Sequence, residues 1–241
     1  MSSYSNALSD KLVVCSFSDC EIYTVYSKDE SRKWTDTRQD NVFPEELSSS
    51  IFSVSHHIQV GANFCLSPLD DSMNHKDIFK LNFGSAETLK TKSTDRFEIV
   101  YDELPAVNSK NLVGVQESID IELLYQRLNI YAAEEGVLVV YDNSHITILV
   151  KNRGDLVLAN RYQIDNLDEC FYYVMLAIEQ LNLTQETLKI DFVGAVNFFK
   201  KFSLIMEGYV QRINNRSDLS ISISGLTNKE ILAQYYSKCV L

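Results

Sequence analysis

The run Ile146-Thr147-Ile148-Leu149-Val150 is apolar at nearly every position, so both sets of alternating side chains seek cover. Such a strand suits the interior of an open sheet with helices on both sides better than the wall of a barrel. Its neighbours fix the setting. Val137 to Tyr141 and Leu156 to Ile164 are β-branched or aliphatic stretches, separated from it by the turn-rich pieces Asp142-Asn143-Ser144-His145 and Lys151-Asn152-Arg153-Gly154-Asp155. The pattern predicts a three-stranded meander, which helices must cover.

Those helices follow in the chain. Asn166 with Glu169 three residues later has the spacing of a capping box, and Leu167, Phe171, Val174, Ile178 and Leu181 then recur at helical intervals. Leu188 to Val193 reads as a strand ending at Gly194, and Phe198, Phe202, Ile205, Tyr209 and Ile213 form a second helical stripe. Leu219 to Ile223 reads as a short strand, and Thr227 with Glu230 starts a last helix through Ile231, Leu232, Tyr235 and Tyr236. From Val137 the order is βββαβαβα. Leu158, Phe171, Val174 and Ile178 are expected to be buried together.

The first half begins the same way. Leu12 to Ser18 and Glu21 to Ser27 suggest a hairpin, Lys33 to Arg38 a third strand, Pro44 the start of a helix through Leu47, Ile51 and Val54, and Val60 to Leu66 a fourth strand. Ser67-Pro68-Leu69-Asp70 resembles a helix start, with an N-cap, proline at the first position and an acid in the first turn. Ile78 to Phe83 and Phe97 to Tyr101 read as extra strands. Leu112 to Gln116 is then a strand, and Ile121, Leu124, Tyr125 and Leu128 a helix. With an insertion near 77–103 set aside, βββαβαβα appears again. The expected organisation is α/β, with one ribonuclease-H-like domain over 1–133 and a second over 134–241.

A doubled βββαβαβα is the arrangement shared by actin, hexokinase and the heat-shock chaperone ATPases. The run Leu156-Val157-Leu158-Ala159-Asn160-Arg161-Tyr162, then Asp168-Glu169-Cys170-Phe171-Tyr172-Tyr173, Leu181 and Gly194, resembles a bacterial family of proteins of unknown function with an actin-like ATPase fold. Weaker agreement extends upstream through Phe64, Leu66 and Pro68. The resemblance implies the fold, with two domains facing each other across a cleft, and implies no activity.

In working members of that superfamily, phosphates sit between two hairpins of the form Asp-x-Gly-x-x-Thr, because glycine lets backbone N–H groups approach phosphate oxygens. The matching segment here is Asp142-Asn143-Ser144-His145-Ile146-Thr147, in which Ser144 replaces the glycine. The counterpart in the first half, Ser18-Asp19-Cys20-Glu21, has no glycine and two acids. Adenosine would rest on a glycine pair, and Gly194-Ala195 is half of one. The eight glycines are too scattered for a P-loop or a dinucleotide fingerprint. If a nucleotide binds, Asp142, Ser144, Thr147 and Gly194 are the residues to hold it. As an ordinary hairpin, Asp142-Asn143 needs no ligand.

Other chemistries have less support. Asp142, Asp191 and Glu179 could be imagined as carboxylates for a two-metal nuclease, but the net charge of -11 repels polyanions. His56 and His57 would point to opposite faces of a strand, and Asp142, Ser144 and His145 share one turn, too close in sequence to act as separate catalytic elements. Five cysteines at 15, 20, 65, 170 and 239, without CxxC spacing, fit thiols in a reducing compartment. Met1 to Asp10 lacks the pattern of a secretory signal, and no apolar stretch approaches a bilayer span. The expectation is a cytoplasmic, non-catalytic interaction or scaffold protein that needs no cofactor, with a protein partner, no nucleic acid and no membrane insertion. Tyr235 and Tyr236 are candidate contact residues. The alternative is an ATP-binding enzyme or nucleotide switch using the cleft.

Overall fold

The first strand, Lys11–Ser16 (β1), turns back through Ser18-Asp19 into Glu21–Tyr26 (β2), with Phe17 N donating to Cys20 O at 2.8 Å. Arg32–Arg38 (β3) completes an antiparallel meander. Val54–Gln59 (β4) then pairs parallel to β1, and Val115–Ile119 (β8) parallel to β4. The strand order is β3-β2-β1-β4-β8. Between β4 and β8 the chain makes Phe64–Pro68 (β5), the helix His75–Phe83 (α1), Leu89–Ser93 (β6) and Phe97–Asp102 (β7), whose strands form a separate sheet ordered β5-β7-β6. The helix Asp120–Tyr131 (α2) follows β8. This computed structural model describes residues 9–39, 42–48, 50–69, 74–84, 88–104, 114–217 and 226–241.

The second half repeats the strand order in full. Gly136–Tyr141 (β9), His145–Asn152 (β10) and Asp155–Gln163 (β11) form the meander, the helix Leu167–Gln180 (α3) leads to Lys189–Val193 (β12), and Val196–Met206 (α4) leads to Arg212–Asn215 (β13). The order is β11-β10-β9-β12-β13, with β9, β12 and β13 mutually parallel. The helix Asn228–Val240 (α5) ends the chain. Two compact units result, Met1–Glu122 with Tyr236–Leu241, and Leu123–Tyr235.

Burial explains the meander. Val137 and Val139 on β9, Ile146, Ile148 and Val150 on β10, and Ile190 and Phe192 on β12 share a core with Val174 and Ile178 of α3 and Phe202 and Met206 of α4. The alternate residues Leu138, Val140 and Leu149 are buried as well, on the opposite face. Both faces of the central strands are thus covered. There the end of α2 lies close, since Lys151 Nζ donates to Ala132 O at 3.0 Å, and a Cβ on Gly136 would sit 2.6 Å from that of Ala132. Leu158 and Phe171 pack against the core but are only half-buried. The expected capping box at Thr227 forms, and the one at Asn166 forms with its return bond on the preceding residue. Asn166 Oδ1 accepts from Glu169 N at 3.0 Å while Glu169 Oε2 accepts from Asp165 N at 2.8 Å, and Glu230 Oε2 accepts from Thr227 N at 2.7 Å.

Several expected elements differ. Pro44 opens only a single 3-10 turn, Glu45–Leu47, where Ser48 Oγ bonds Glu45 O at 2.7 Å, a local bond that competes with helix continuation. Val54 belongs to a strand. Ser67 and Pro68 end β5 rather than start a helix, because Pro68 lies at the end of an edge strand, where its missing N–H breaks no ladder. Ile78 to Phe83 is helical, started by Asn74, whose side chain accepts from Lys76 N at 3.0 Å. Its short apolar run mimicked a strand, yet of its apolar residues only Phe79 is buried. The stripe ending at Ile213 is broken, since α4 stops at Met206 and Ile213 lies in β13. The expected strand Leu219 to Ile223 lies outside the described residues.

Tyr235 and Tyr236 are not surface residues. They are 2% and 1% exposed, because Ile231, Leu232 and both tyrosines fall on buried faces of α5. Phe202→Ala is expected to lower stability by about 3–5 kcal/mol in urea titration, as for a fully buried aromatic, and Phe171→Ala by less than Phe202→Ala.

Candidate functional site

The β9–β10 hairpin is closed by Asp142 N donating to His145 O at 3.0 Å. Asn143 takes a positive φ of 81°, which asparagine tolerates better than most residues. The concave side of the turn, where successive N–H groups could face an anion, is already filled. Asp142 Oδ1 accepts from Ser144 N at 3.3 Å and from His145 N at 2.8 Å. The Asp142 carboxylate thus caps its own hairpin. Ser144 Oγ lies 2.9 Å from His145 Nδ1, and Asp142 Oδ1 lies 3.6 Å from the same nitrogen. A nucleophile relay needs the serine and the acid on opposite ring nitrogens. This turn has both on one.

Thr147 is buried in β10, and its Oγ1 accepts from Arg161 Nε at 3.0 Å across the ladder. Gly194 follows β12, and Val193 pairs with Val140. Gly194 N donates to Ser217 Oγ at 2.7 Å, and Ser217 Oγ lies 2.8 Å from Gly194 O. The Gly194 backbone runs close to Tyr141, so that an added Cβ would stand 2.9 Å from Tyr141 O, at a φ of 146°. Asn228 Nδ2 also bonds Tyr141 O, at 2.8 Å. The structure thus brings Asp142 and Gly194 together at the carboxyl ends of β9 and β12, where open α/β sheets place ligands. Thr147 is turned to its own ladder. Ser217 and Asn228 carried no motif in the sequence, and only the fold brings them to Gly194 and Tyr141.

The first hairpin is built differently. Its turn residues Ser18 and Asp19 are exposed, but Glu21 is buried at the start of β2. Ser16 Oγ donates to Glu21 Oε1 at 3.4 Å, and Tyr23 OH donates to Glu21 Oε2. Ser16 Oγ also lies 2.9 Å from His57 Nε2 on β4. Burial lowers the pKa of His57, with nearby Glu117 opposing the shift. A serine, a histidine and a glutamate meet here, and all three are buried.

The carboxylate trio does not assemble. Asp191 is paired with Leu138, four residues before Asp142, which sets the two roughly 13 Å apart along the strands. Two-metal sites hold their ions about 4 Å apart. Glu179 is exposed on α3. Asp191 Oδ1 instead accepts from Asn214 Nδ2 at 2.9 Å and Arg216 Nε at 2.7 Å. Among the described residues no three His, Cys, Asp or Glu side chains come together as a metal site. All five cysteines are thiols, and burial pushes Cys170 up to about 12 and Cys65 up to about 11, which disfavours their thiolate forms.

A family model described as a protein of unknown function (DUF3822) matches residues 77–213. No curated protein matches the chain. The chain is similar to a Bacteroides thetaiotaomicron protein with actin-like ATPase fold and unknown function, at a TM-score of 0.75 and 14% identity over 94% of this chain and 96% of that one. It is also similar to the cytoplasmic domain of EpsL, an inner membrane component of the type II secretion system of Vibrio cholerae, at a TM-score of 0.49 and 10% identity over 95% of each chain. A third similarity is to the ethanolamine utilization protein EutJ from Carboxydothermus hydrogenoformans, at 0.44 and 7% identity over 89% and 86%. The first likeness and the repeated strand order show an actin-like ATPase fold.

Gly194→Ala should cost about 1–3 kcal/mol, seen as a melting temperature lower by several degrees, because its Cβ meets a backbone carbonyl at a strained φ. For His57, protonation is harder in the folded chain than in the unfolded one. The unfolded state therefore binds more protons as pH falls below about 6.5, and stability drops. His57→Gln should flatten that part of a stability profile measured from pH 7 to 5, and an unchanged slope would assign it to other groups.

Proposed function

The chain belongs to the DUF3822 family, whose function is unknown, and we propose that it is a non-catalytic interaction or scaffold protein of the cytoplasm, with an actin-like ATPase fold whose phosphate loops no longer serve nucleotide. The observation that carries this reading is Ser144, whose side chain stands where such hairpins have glycine and whose N–H is already bonded to Asp142 Oδ1. A triphosphate entering there would meet the Ser144 side chain where glycine would leave the backbone open. Ser217 Oγ takes the Gly194 amide. The first hairpin, considered by itself, also has no glycine, with Asp19 and Glu21 in and beside its turn.

A protein partner is the occupant that the surface favours. Tyr172 on α3, Leu204 on α4 and Tyr209 just beyond it are 58%, 70% and 45% exposed, and Phe171 packs edge-on against Tyr209. Exposed tyrosine and leucine on adjoining helices offer apolar area with little entropy to lose on binding. The net charge of -11 disfavours nucleic acid, and among the described residues no helix is long and apolar enough to cross a membrane.

Titration of the full chain with millimolar Mg-ATP in a thermal melt tests the reading. A ligand at a hundred times its Kd adds about 2.7 kcal/mol, roughly 5–10 °C for a chain of this size. No shift is expected. A clear shift that vanishes in Asp142→Ala would replace the scaffold by a nucleotide switch.

A further inference from the structure

A cavity of about 290 Å³ opens within the unit Leu123–Tyr235, at the amino-terminal ends of β12 and β13. It lies at the opposite end of β9 from Asp142, about 20 Å along the strand. Parallel pairing places Lys189 opposite Arg212 and Asp191 opposite Asn214. The two-residue period of each strand turns all four toward one face, and that face forms the floor. Tyr131 at the end of α2 and Glu135 in the turn before β9 form the wall.

The charges in this cavity are arranged rather than scattered. Asp191 is 5% exposed and fully engaged at Oδ1 by Asn214 and by Arg216 Nε. Arg216 lies with its guanidinium carbon 4.5 Å from the centre of the Tyr131 ring. The guanidinium is thus held by a carboxylate at one edge and an aromatic face on one side. Among the described residues, its two terminal amino groups donate to nothing. Lys189 and Arg212 stand exposed at the mouth, and among the described residues neither forms an ion pair. Asp191 is neutralised by Arg216, so the remaining lining charges are two cations against Glu135. A locally cationic concavity in a chain of net charge -11 selects for anions that the rest of the surface repels.

We propose that this cavity binds the oxyanion group of a small polar molecule, a carboxylate or a phosphate monoester. Lys189 and Arg212 attract the group, and the pre-oriented Arg216 fork receives two of its oxygens. The volume lies at the lower limit of small-molecule pockets, which restricts the occupant to a small metabolite. This site is independent of the hairpin reading, and loss of nucleotide binding says nothing about it.

The full chain is melted with increasing inorganic phosphate, glycerol phosphate or acetate, at ionic strength held constant with chloride. A saturable rise in melting temperature is expected with at least one probe. A response to both phosphates and not acetate assigns a phosphate monoester, and a response to acetate alone assigns a carboxylate. Lys189→Glu combined with Arg212→Glu should raise the half-saturating concentration at least tenfold, whereas Lys200→Glu, outside the lining, should leave it unchanged. Should the double variant fail to fold, Arg212→Gln alone is read the same way with a smaller expected change. Absence of a saturable rise with all three probes, or an equal loss in Lys200→Glu, would overturn the proposal.

Discussion

Burial of β9, β10 and β12 on both faces is the constraint from which the rest of the second unit follows. Val139 and Ile148 look toward α3 and α4, while Leu138 and Leu149 look the other way, and all four are buried. Sheets covered in this way have their ligand-accessible backbone only at the strand ends. Polar side chains in the unit accordingly collect at those ends. Asp142 and Ser217 lie at the carboxyl ends beside the Gly194 amide, while Lys189 and Arg212 lie at the amino ends.

The same constraint lets the β9–β10 loop vary without disturbing the fold. The packed layers depend on the apolar residues of the strands and helices, and the hairpin at Asp142 contributes nothing to that core. Ser144 in the place of a glycine therefore leaves the sheet intact. The hairpin gains two hydrogen bonds from its own carboxylate.

The first unit keeps the strand order with fewer helices. A 3-10 turn at Glu45–Leu47 stands where the second unit has α3, and the small sheet β5-β7-β6 with α1 stands where it has α4. Leu47, Phe43 and Phe52 supply cover for Leu12, Val14, Tyr23 and Val25 that a full helix would otherwise provide. Strand order is conserved between the halves because each parallel strand must find its neighbour, whereas the covering layer need only be apolar and close enough to exclude water.

Patterns that repeat over neighbouring residues were legible in the sequence. The meander, both capping boxes and the helices α3 and α5 follow from side-chain periodicity and from bonds spanning three residues, and these act before any long-range contact forms. The Asp142 turn could be recognised as either a phosphate loop or an ordinary hairpin, since the same residues serve both. Tertiary structure decided between strand and helix for Ile78–Phe83, where a short apolar run satisfies either period, and between surface and core for Tyr235 and Tyr236, whose environment is set by chain segments far away in sequence. It also decided the two sites. Ser217 meets Gly194 across 23 residues, and Asp191 meets Arg216 across 25, through the parallel pairing of β12 with β13. No local pattern encodes such a meeting, because register between distant strands is chosen by how their buried faces pack, not by the residues that the register happens to bring together.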